Sequence, residues 1–167
     1  MMKGSRARRP HGLWNLRTAQ RWASAVLLLS VGCAQLPSTN AVAVAPIPVG
    51  EARLWIYRND GPYDAQTTPY VRLNGQVVGV SEADGAFYRD VAPGHYSITI
   101  DSPATDVNQF ADANLAAGQQ TYAKILSLRC WQGGAMAEPC RDAFYVRLMA
   151  AETARTEIAH SPFYGGS

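Results

Sequence analysis

The stretch "YVRLNGQVVGV", residues 70–80, constrains the fold of this chain more than any other part of its sequence. Two runs of alternating apolar and polar residues flank Asn74-Gly75, the pair that best suits a two-residue type I′ turn. Such a turn fixes the strand register, and here it places Val71 opposite Val78. The stretch therefore predicts a tight antiparallel hairpin.

Short strands separated by turn residues continue along the chain, and Pro93-Gly94 suits a type II turn between two of them. The other predicted strands are RLWIY (53–57), AFYRDV (86–91), YSITI (96–100), residues 110–115, TYAKILSL (121–128) and DAFYVRLM (142–149). About eight short strands without a long helix are typical of an all-β fold, an antiparallel β-sandwich. We assign this domain to residues 51–150 and a short helix and tail to residues 151–167.

The first 32 residues have the composition of an export signal. They contain six Lys and Arg residues, and the chain has no acidic residue before Glu51. The apolar run around Ala25–Leu29 reaches about ten residues, which is too short for a bilayer-spanning helix of roughly 20 residues. Residues 1–32 are therefore predicted to be a signal peptide.

Cys33 follows directly after this apolar run, in the sequence Ser30-Val31-Gly32-Cys33. The sequence resembles a bacterial lipobox, although Ser30 stands where Leu is most common. The resemblance implies a diacylglyceryl thioether on Cys33 and cleavage before it, so the membrane is a predicted partner. Because Ala34 rather than Asp follows, it also implies the periplasmic face of the outer membrane. The alternative is ordinary cleavage after Ala34, which releases a soluble periplasmic protein.

Residues 33–50 carry no charge, and three prolines lie between residues 34 and 50. This composition is typical of a flexible tether between an anchor and a folded domain. The alternative is that the stretch "AVAVA" within it adds an edge strand to the domain.

The charge of the chain changes when the signal is removed. Residues 33–167 contain nine Lys and Arg residues and all 13 acidic residues, which gives a net charge of −4. This segment has no run of basic residues to meet a phosphate backbone. The composition therefore argues against nucleic acid as a partner.

Cys130 and Cys140 are the two other cysteines of the chain, and each lies at the loop end of a predicted strand. Export to an oxidising compartment favours a disulfide between them. The pairing predicts a register with Leu128 opposite Asp142. The alternatives to a disulfide are a metal site and a redox pair, and both are less favoured. A structural metal site needs about four ligands. The spacing of the two cysteines also differs from that of thiol oxidoreductases.

The disulfide would brace the loop of residues 131–139, which carries Trp131 and Met136. A braced loop with an aromatic and a soft apolar side chain is a candidate contact surface for a protein partner. Alternatively, Trp131 folds back over the end of the sandwich and shields the sulfurs.

Several stretches of the domain together resemble a known family. They are RLWIYR, VRLNGQVVGV, GAFYRDVAPGHYSITI, NLAAGQQTYAKI and FYVRLMAAETARTEIA. They are similar to small bacterial envelope lipoproteins that carry a domain of unknown function, DUF2846, and the similarity covers about residues 52–159. It implies a transthyretin-like or immunoglobulin-like sandwich and supplies no catalytic residues.

The sequence offers no combination of nucleophile, base and orienting group at a recognisable spacing. We therefore expect no catalysis, no cofactor and no metal. The leading hypothesis is a non-catalytic, lipid-anchored module of the periplasm that engages another envelope protein. The alternative is a domain that binds a cell-wall glycan or a small molecule through Tyr57, Tyr63 and Tyr70.

Overall fold

The alternating stretches of the sequence form nine strands in the computed structural model, which describes residues 35–130 and 141–167. The strands are β1 (Ala52–Tyr57), β2 (Tyr70–Leu73), β3 (Gln76–Val80), β4 (Ala86–Val91), β5 (Gly94–Ile100), β6 (Phe110–Leu115), β7 (Gln120–Leu128), β8 (Ala143–Met149) and β9 (Phe163–Gly166). Helix α1 (Ala151–Ile158) follows β8, as predicted, whereas the strand β9 after it was not predicted. A 3-10 helix spans Thr39–Ala41.

The strands form two sheets, which confirms the predicted all-β sandwich. The five-stranded sheet has the order β8-β7-β1-β4-β9, and the four-stranded sheet has the order β3-β2-β5-β6. Most neighbours are antiparallel, as expected, but β1 pairs with β7 and β4 pairs with β9 in parallel. The prediction of a purely antiparallel sandwich is wrong at these two pairings.

Two apolar clusters cover the two faces of the five-stranded sheet. Between the sheets, alternate strand residues such as Leu54, Ile56, Val71, Ile98 and Phe144 form the main core. All six residues of β1 are buried, because this central strand is covered on both sides. On the outer face, a second cluster packs against α1 and the segment that precedes β1.

The hairpin of β2 and β3 has the predicted turn, with φ of 48° at Asn74 and 85° at Gly75. Its register matches the prediction at the first two pairs after the turn and differs beyond them. Val71 lies opposite Gly79 rather than Val78, because Val78 is the extra residue of a β-bulge. A bulge depends on packing beyond the hairpin, which the turn residues do not encode.

Gly94 does not occupy the predicted type II turn. It already belongs to β5, where it pairs with Leu115, and its φ is not positive. Strands β4 and β5 lie in different sheets, so the short link between them crosses from one sheet to the other. The prediction of a type II turn is therefore wrong, although the chain does change direction at the predicted position.

Strands β7 and β8 pair one residue away from the predicted register, with Leu128 opposite Ala143 instead of Asp142. This register places Ile125 opposite Val146, and both side chains are buried in the main core. The Asp142 carboxylate lies beyond the strand and accepts hydrogen bonds from Cys130 N and Thr67 Oγ1. Core packing and a satisfied carboxylate together favour the observed register.

The segment Pro37–Ile47, which precedes β1, packs along the outer face of the five-stranded sheet instead of forming a free tether. Thr39 is buried and its backbone N–H and side-chain hydroxyl both donate to Ser161 O, at 2.8 and 2.9 Å. Phe163 N donates to Pro37 O at 2.9 Å. The prediction of a flexible tether over residues 33–50 is therefore wrong from Pro37 onward. The alternative, an edge strand in "AVAVA", is also wrong, because residues 41–45 form no strand.

Residues Leu36–Ser167 form one compact unit whose strands define two ends. At the end that we call the entry end, β1 finishes at Tyr57 beside Ala86, and β8 begins at Ala143 beside Leu128. The segment Pro37–Ile47 also begins there, because Ser38 bridges to Pro162 directly before β9. At the opposite, far end, Ala52 pairs with Val91.

Gly79 on β3 has no room for a side chain, and we expect Gly79→Ala to destabilise the protein by about 1–3 kcal/mol. A Cβ atom there would lie 2.6 Å from two ring atoms of Phe87, a buried core residue. Urea denaturation measures the change in the free energy of unfolding. Gly94→Ala is the matched control, because its Cβ would meet no atom closer than 3.8 Å. Equal effects of the two substitutions would contradict the packing argument.

Candidate functional site

A groove of about 410 Å³ runs between the segment Pro37–Ile47, α1 and the outer face of the five-stranded sheet. Strands β1 and β7 form its floor, with Arg53, Trp55, Gln120 and Tyr122. Residues 44–47 form one wall, and Arg155 of α1 stands on the other. These side chains come from four elements of the chain, which only the fold brings together.

Strand alternation places the floor residues of β1 on the outer face of the sheet. Arg53, Trp55 and Tyr57 project outward, whereas Leu54 and Ile56 between them enter the main core. Trp55 lies next to Tyr122 of the parallel strand β7, and their rings are nearly parallel with centroids 6.5 Å apart. The floor is therefore an aromatic surface with polar groups at its edge.

Arg53 is held in place by bonds on all sides of its guanidinium group. Its Nε and Nη2 donate to the two carboxylate oxygens of Asp90, both at 2.7 Å, and its Nη1 donates to Ala45 O at 2.7 Å. The group lies 3.9 Å from the ring centroid of Tyr88. The hydrogen bond with Asp90 raises the pKa of Arg53. Arg53 thus fastens the Pro37–Ile47 segment to the sheet, and each of its three guanidinium nitrogens already donates a hydrogen bond to a protein group.

Gln120 organises the polar edge of the floor. Its Oε1 accepts from Trp55 Nε1 at 3.0 Å and from Tyr122 OH at 3.2 Å. Because an indole N–H can only donate, this contact fixes the orientation of the amide and directs Nε2 away as a donor. Tyr122 OH accepts in turn from Arg155 Nε at 3.1 Å, and this bond raises the pKa of Arg155.

The side-chain groups at the groove that make no hydrogen bond within the described residues are donors. They are the two terminal nitrogens of Arg155, Nε2 of Gln120 and Nδ2 of Asn40, whose Oδ1 accepts from Ser38. A ligand that complements them must present acceptors, and a carboxylate matches a guanidinium fork best. The groove is therefore suited to an acceptor-rich, acidic ligand.

Tyr57, which the sequence suggested as a surface aromatic, is buried beneath α1. Its hydroxyl donates to Glu157 Oε2 at 2.7 Å, and Lys124 Nζ donates to the same oxygen at 2.9 Å. Burial and the bond to Glu157 raise the pKa of Tyr57 far above its ordinary value. The proposed role of Tyr57 in surface binding is wrong, because the side chain fastens α1 to the sheet.

A second cavity of about 410 Å³ lies at the entry end, between Thr67, Tyr70, Asp101 and Phe144. Three of its polar side chains, those of Thr67, Asp101 and Ser102, already bond to protein groups. Thr67 Oγ1 donates to Asp142, and Asp101 forms a two-bond ion pair with Arg72. This cavity therefore offers fewer open polar groups than the groove, and we take the groove as the candidate site.

Most of the predicted site residues lie outside the residues that the structure describes. They are Cys33, Trp131, Met136 and Cys140. Cys130 lies two residues after the end of β7. The disulfide between Cys130 and Cys140, the lipid on Cys33 and the partner contacts of Trp131 and Met136 all stay predictions.

Tyr63 and Tyr70 are surface aromatics, as the sequence suggested, with exposed fractions of 71% and 52%. His95 lies on the exposed face of β5, with Nε2 3.8 Å from Asp112 Oδ1. Within the described ranges, no three His, Cys, Asp or Glu residues group closely enough to hold a metal ion. No helix in residues 35–130 or 141–167 is long and apolar enough to span a membrane.

Comparisons of the chain with family models, with curated proteins and with solved structures each found no match. The resemblance to envelope lipoproteins therefore stays a prediction.

The groove was not predicted from the sequence, although the residue pattern of β1 indicates that something covers its outer face. Arg53, Trp55 and Tyr57 alternate with Leu54 and Ile56, so both faces of this strand carry large side chains. A strand with bulky residues on both faces is covered on both faces. The sequence could thus have indicated an extra layer over β1, but not which residues form it.

We expect Asp90→Ala to destabilise the protein by about 3–5 kcal/mol, because it leaves the Arg53 guanidinium buried without its partner. The two side chains of this pair are only 3% and 6% exposed. Asp101→Ala is the control, because it removes an ion pair of the same two-bond geometry whose side chains are 35% and 44% exposed. That loss should be at most about 1 kcal/mol. Denaturant titration of both variants tests the difference, and similar losses would contradict it.

Proposed function

We propose that this protein is a non-catalytic binding module of the cell envelope, anchored to a membrane through lipidated Cys33, and that it engages another envelope protein through the groove. The observation that carries the proposal is the set of open donors on Arg155, Gln120 and Asn40 along a groove with an aromatic floor. Binding modules present polar groups of this kind at fixed positions within an apolar surface.

The chemistry of the groove favours an acidic segment of a protein. Val44, Ile47 and Ile158 provide apolar contacts along its length, and the guanidinium of Arg155 can bind a carboxylate with two parallel bonds. Tyr122 holds this guanidinium in place, which reduces the entropy lost on binding. An Asp or Glu side chain flanked by apolar residues satisfies both parts of the surface.

The envelope location rests on the sequence of residues 1–34. The basic start, the short apolar run and the lipobox-like sequence before Cys33 support export and lipidation. Ala34 supports the outer membrane in a Gram-negative host. Cleavage after Ala34 would instead give a soluble periplasmic protein with the same groove.

A second candidate function is the binding of a cell-wall glycan or a small molecule. Two exposed aromatics at the entry end, Tyr63 and Tyr70, support it. This function predicts binding to isolated cell-wall material without a protein partner. Tyr57 no longer contributes to it, because its side chain is buried.

The intact mass of the mature protein, measured without reduction from a Gram-negative host, tests the anchor. We expect the mass of residues 33–167 plus acyl chains, less two hydrogens for a disulfide between Cys130 and Cys140. The mass of an unlipidated chain that begins at Gln35 would contradict the lipid anchor. A chain that begins at Met1 would contradict export and remove the reason to expect the disulfide.

Gln120→Glu tests whether the groove binds an acidic segment, because the substitution changes only the Nε2 group of the side chain and keeps its oxygen. The new carboxylate still accepts from Trp55 and Tyr122, but an acceptor replaces the donor Nε2. With a photo-cross-linking amino acid at the exposed position Ala43, next to Val44 in the wall of the groove, we expect the yield of a discrete cross-linked partner in cells to fall at least about tenfold. Facing like charges in an interface cost several kcal/mol, which is more than this factor requires.

Gln119→Glu is the matched control, because it adds the same charge one residue away and outside the groove. Its side chain accepts from Ala116 N in the turn before β7. The cross-link should persist in this variant. Equal loss in both variants, or equal retention, would contradict binding of an acidic partner segment in the groove.

A further inference from the structure

The chain between the proposed lipid anchor and the folded domain is short. Pro37 is the first residue that the domain holds, through the bond from Phe163 N to Pro37 O. Four residue steps separate Cys33 from Pro37. A fully extended chain covers at most about 3.3–3.6 Å per residue, so the two Cα atoms lie within roughly 14 Å of each other. A flexible tether over all of residues 34–50 would average roughly 20–25 Å and would leave the domain free to rotate.

This short connection joins the domain at its entry end. Ser38 bridges to Pro162, and Asn40 N donates to Ala159 O at 3.0 Å, both beside the start of β9. From there the Pro37–Ile47 segment runs toward the far end, where Gly50 turns the chain into β1. The nine residues of β7 alone span roughly 30 Å. A lipid on Cys33 can therefore lie close to the entry end only.

The exposed apolar side chains concentrate at the same end, which is an independent observation. Of the ten large hydrophobic residues that are exposed in the described ranges, seven lie at the entry end or in its loops. They are Leu36, Tyr63, Tyr70, Val107, Phe110, Leu128 and Tyr164. Tyrosine and aliphatic side chains of this kind are compatible with the headgroup region of a bilayer.

We propose that the entry end faces the bilayer surface and the far end points away from it, and that the short connection from Cys33 to Pro37 imposes this orientation. The inference rests on the lipid anchor of the proposed function. It commits the entry end to a lipid surface and leaves the groove, which runs along the side of the domain, open to a partner.

The charges of the entry end decide which lipids suit a test. Its described loops, residues 58–69, 81–85, 101–109, 129–130 and 141–142, carry seven carboxylates and three arginines. An anionic membrane repels such a surface, by about 1 kcal/mol for each charge close to it. The connection therefore has to impose the orientation, and zwitterionic vesicles test it without added repulsion.

The experiment uses the lipidated protein purified from its host and reconstituted in phosphatidylcholine vesicles that contain a lipid with a nitroxide on the headgroup. A fluorescent amino acid is introduced at Tyr63, at the entry end, or at Val49, at the far end, and both positions are well exposed. We expect quenching at Tyr63 to exceed quenching at Val49 at least about fivefold, because nitroxide quenching falls off within a distance well below the length of β7.

The outcomes separate this inference from the proposed function. Equal quenching at the two positions, with the lipid on Cys33 established by mass, would overturn the orientation alone. A mass without lipid would overturn the anchor, and the orientation with it. A flexible insertion of 16 Gly and Ser residues between Ala34 and Gln35 is the control. Quenching at Tyr63 should then fall toward that at Val49, and unchanged quenching would overturn the role of the short connection.

Discussion

The ion pair between Arg53 and Asp90 is the interaction on which the outer layer of this protein depends. Both side chains of the pair are buried on the outer face of the five-stranded sheet. Without this ion pair, the layer over that face would have to be purely apolar. A buried guanidinium requires hydrogen bonds on all its nitrogens, and Ala45 O supplies the one that Asp90 does not. The Pro37–Ile47 segment must therefore lie against the sheet, and the groove exists because this segment and α1 leave a space between them.

Local chemistry explains why most of the fold could be predicted from the sequence. The strands alternate because one face is buried, and Asn74-Gly75 adopts positive φ angles that few other pairs tolerate. The features that the sequence did not reveal depend on distant contacts. Strand β9 contains two glycines in four residues and exists through its pairing with β4. The bulge at Val78 and the register of β8 likewise follow from packing of the core.

The groove could not be predicted for a related reason. Which donors stay open at the groove depends on which other groups form hydrogen bonds with each other. Nε2 of Gln120 is open because Trp55 and Tyr122 both donate to Oε1 of the same amide. Asn40, Gln120 and Arg155 are far apart in sequence, and no motif spacing connects them. The sequence instead predicted a partner contact in the loop between Cys130 and Cys140, and residues 131–140 lie outside the described structure. Local patterns can predict strands and turns, but a site of this kind requires the three-dimensional arrangement.

One segment links the two proposals. Pro37 and Thr39 hold the chain at the entry end, and residues 44–47 of the same segment form a wall of the groove. Under these two proposals, the position of the domain at the membrane and the shape of its binding surface would depend on the same contacts. A domain of this length is roughly 36 Å across, so with its short connection it extends at most roughly 50 Å from the lipid. The two proposals together therefore predict that the partner presents its acidic segment within that distance of the same membrane.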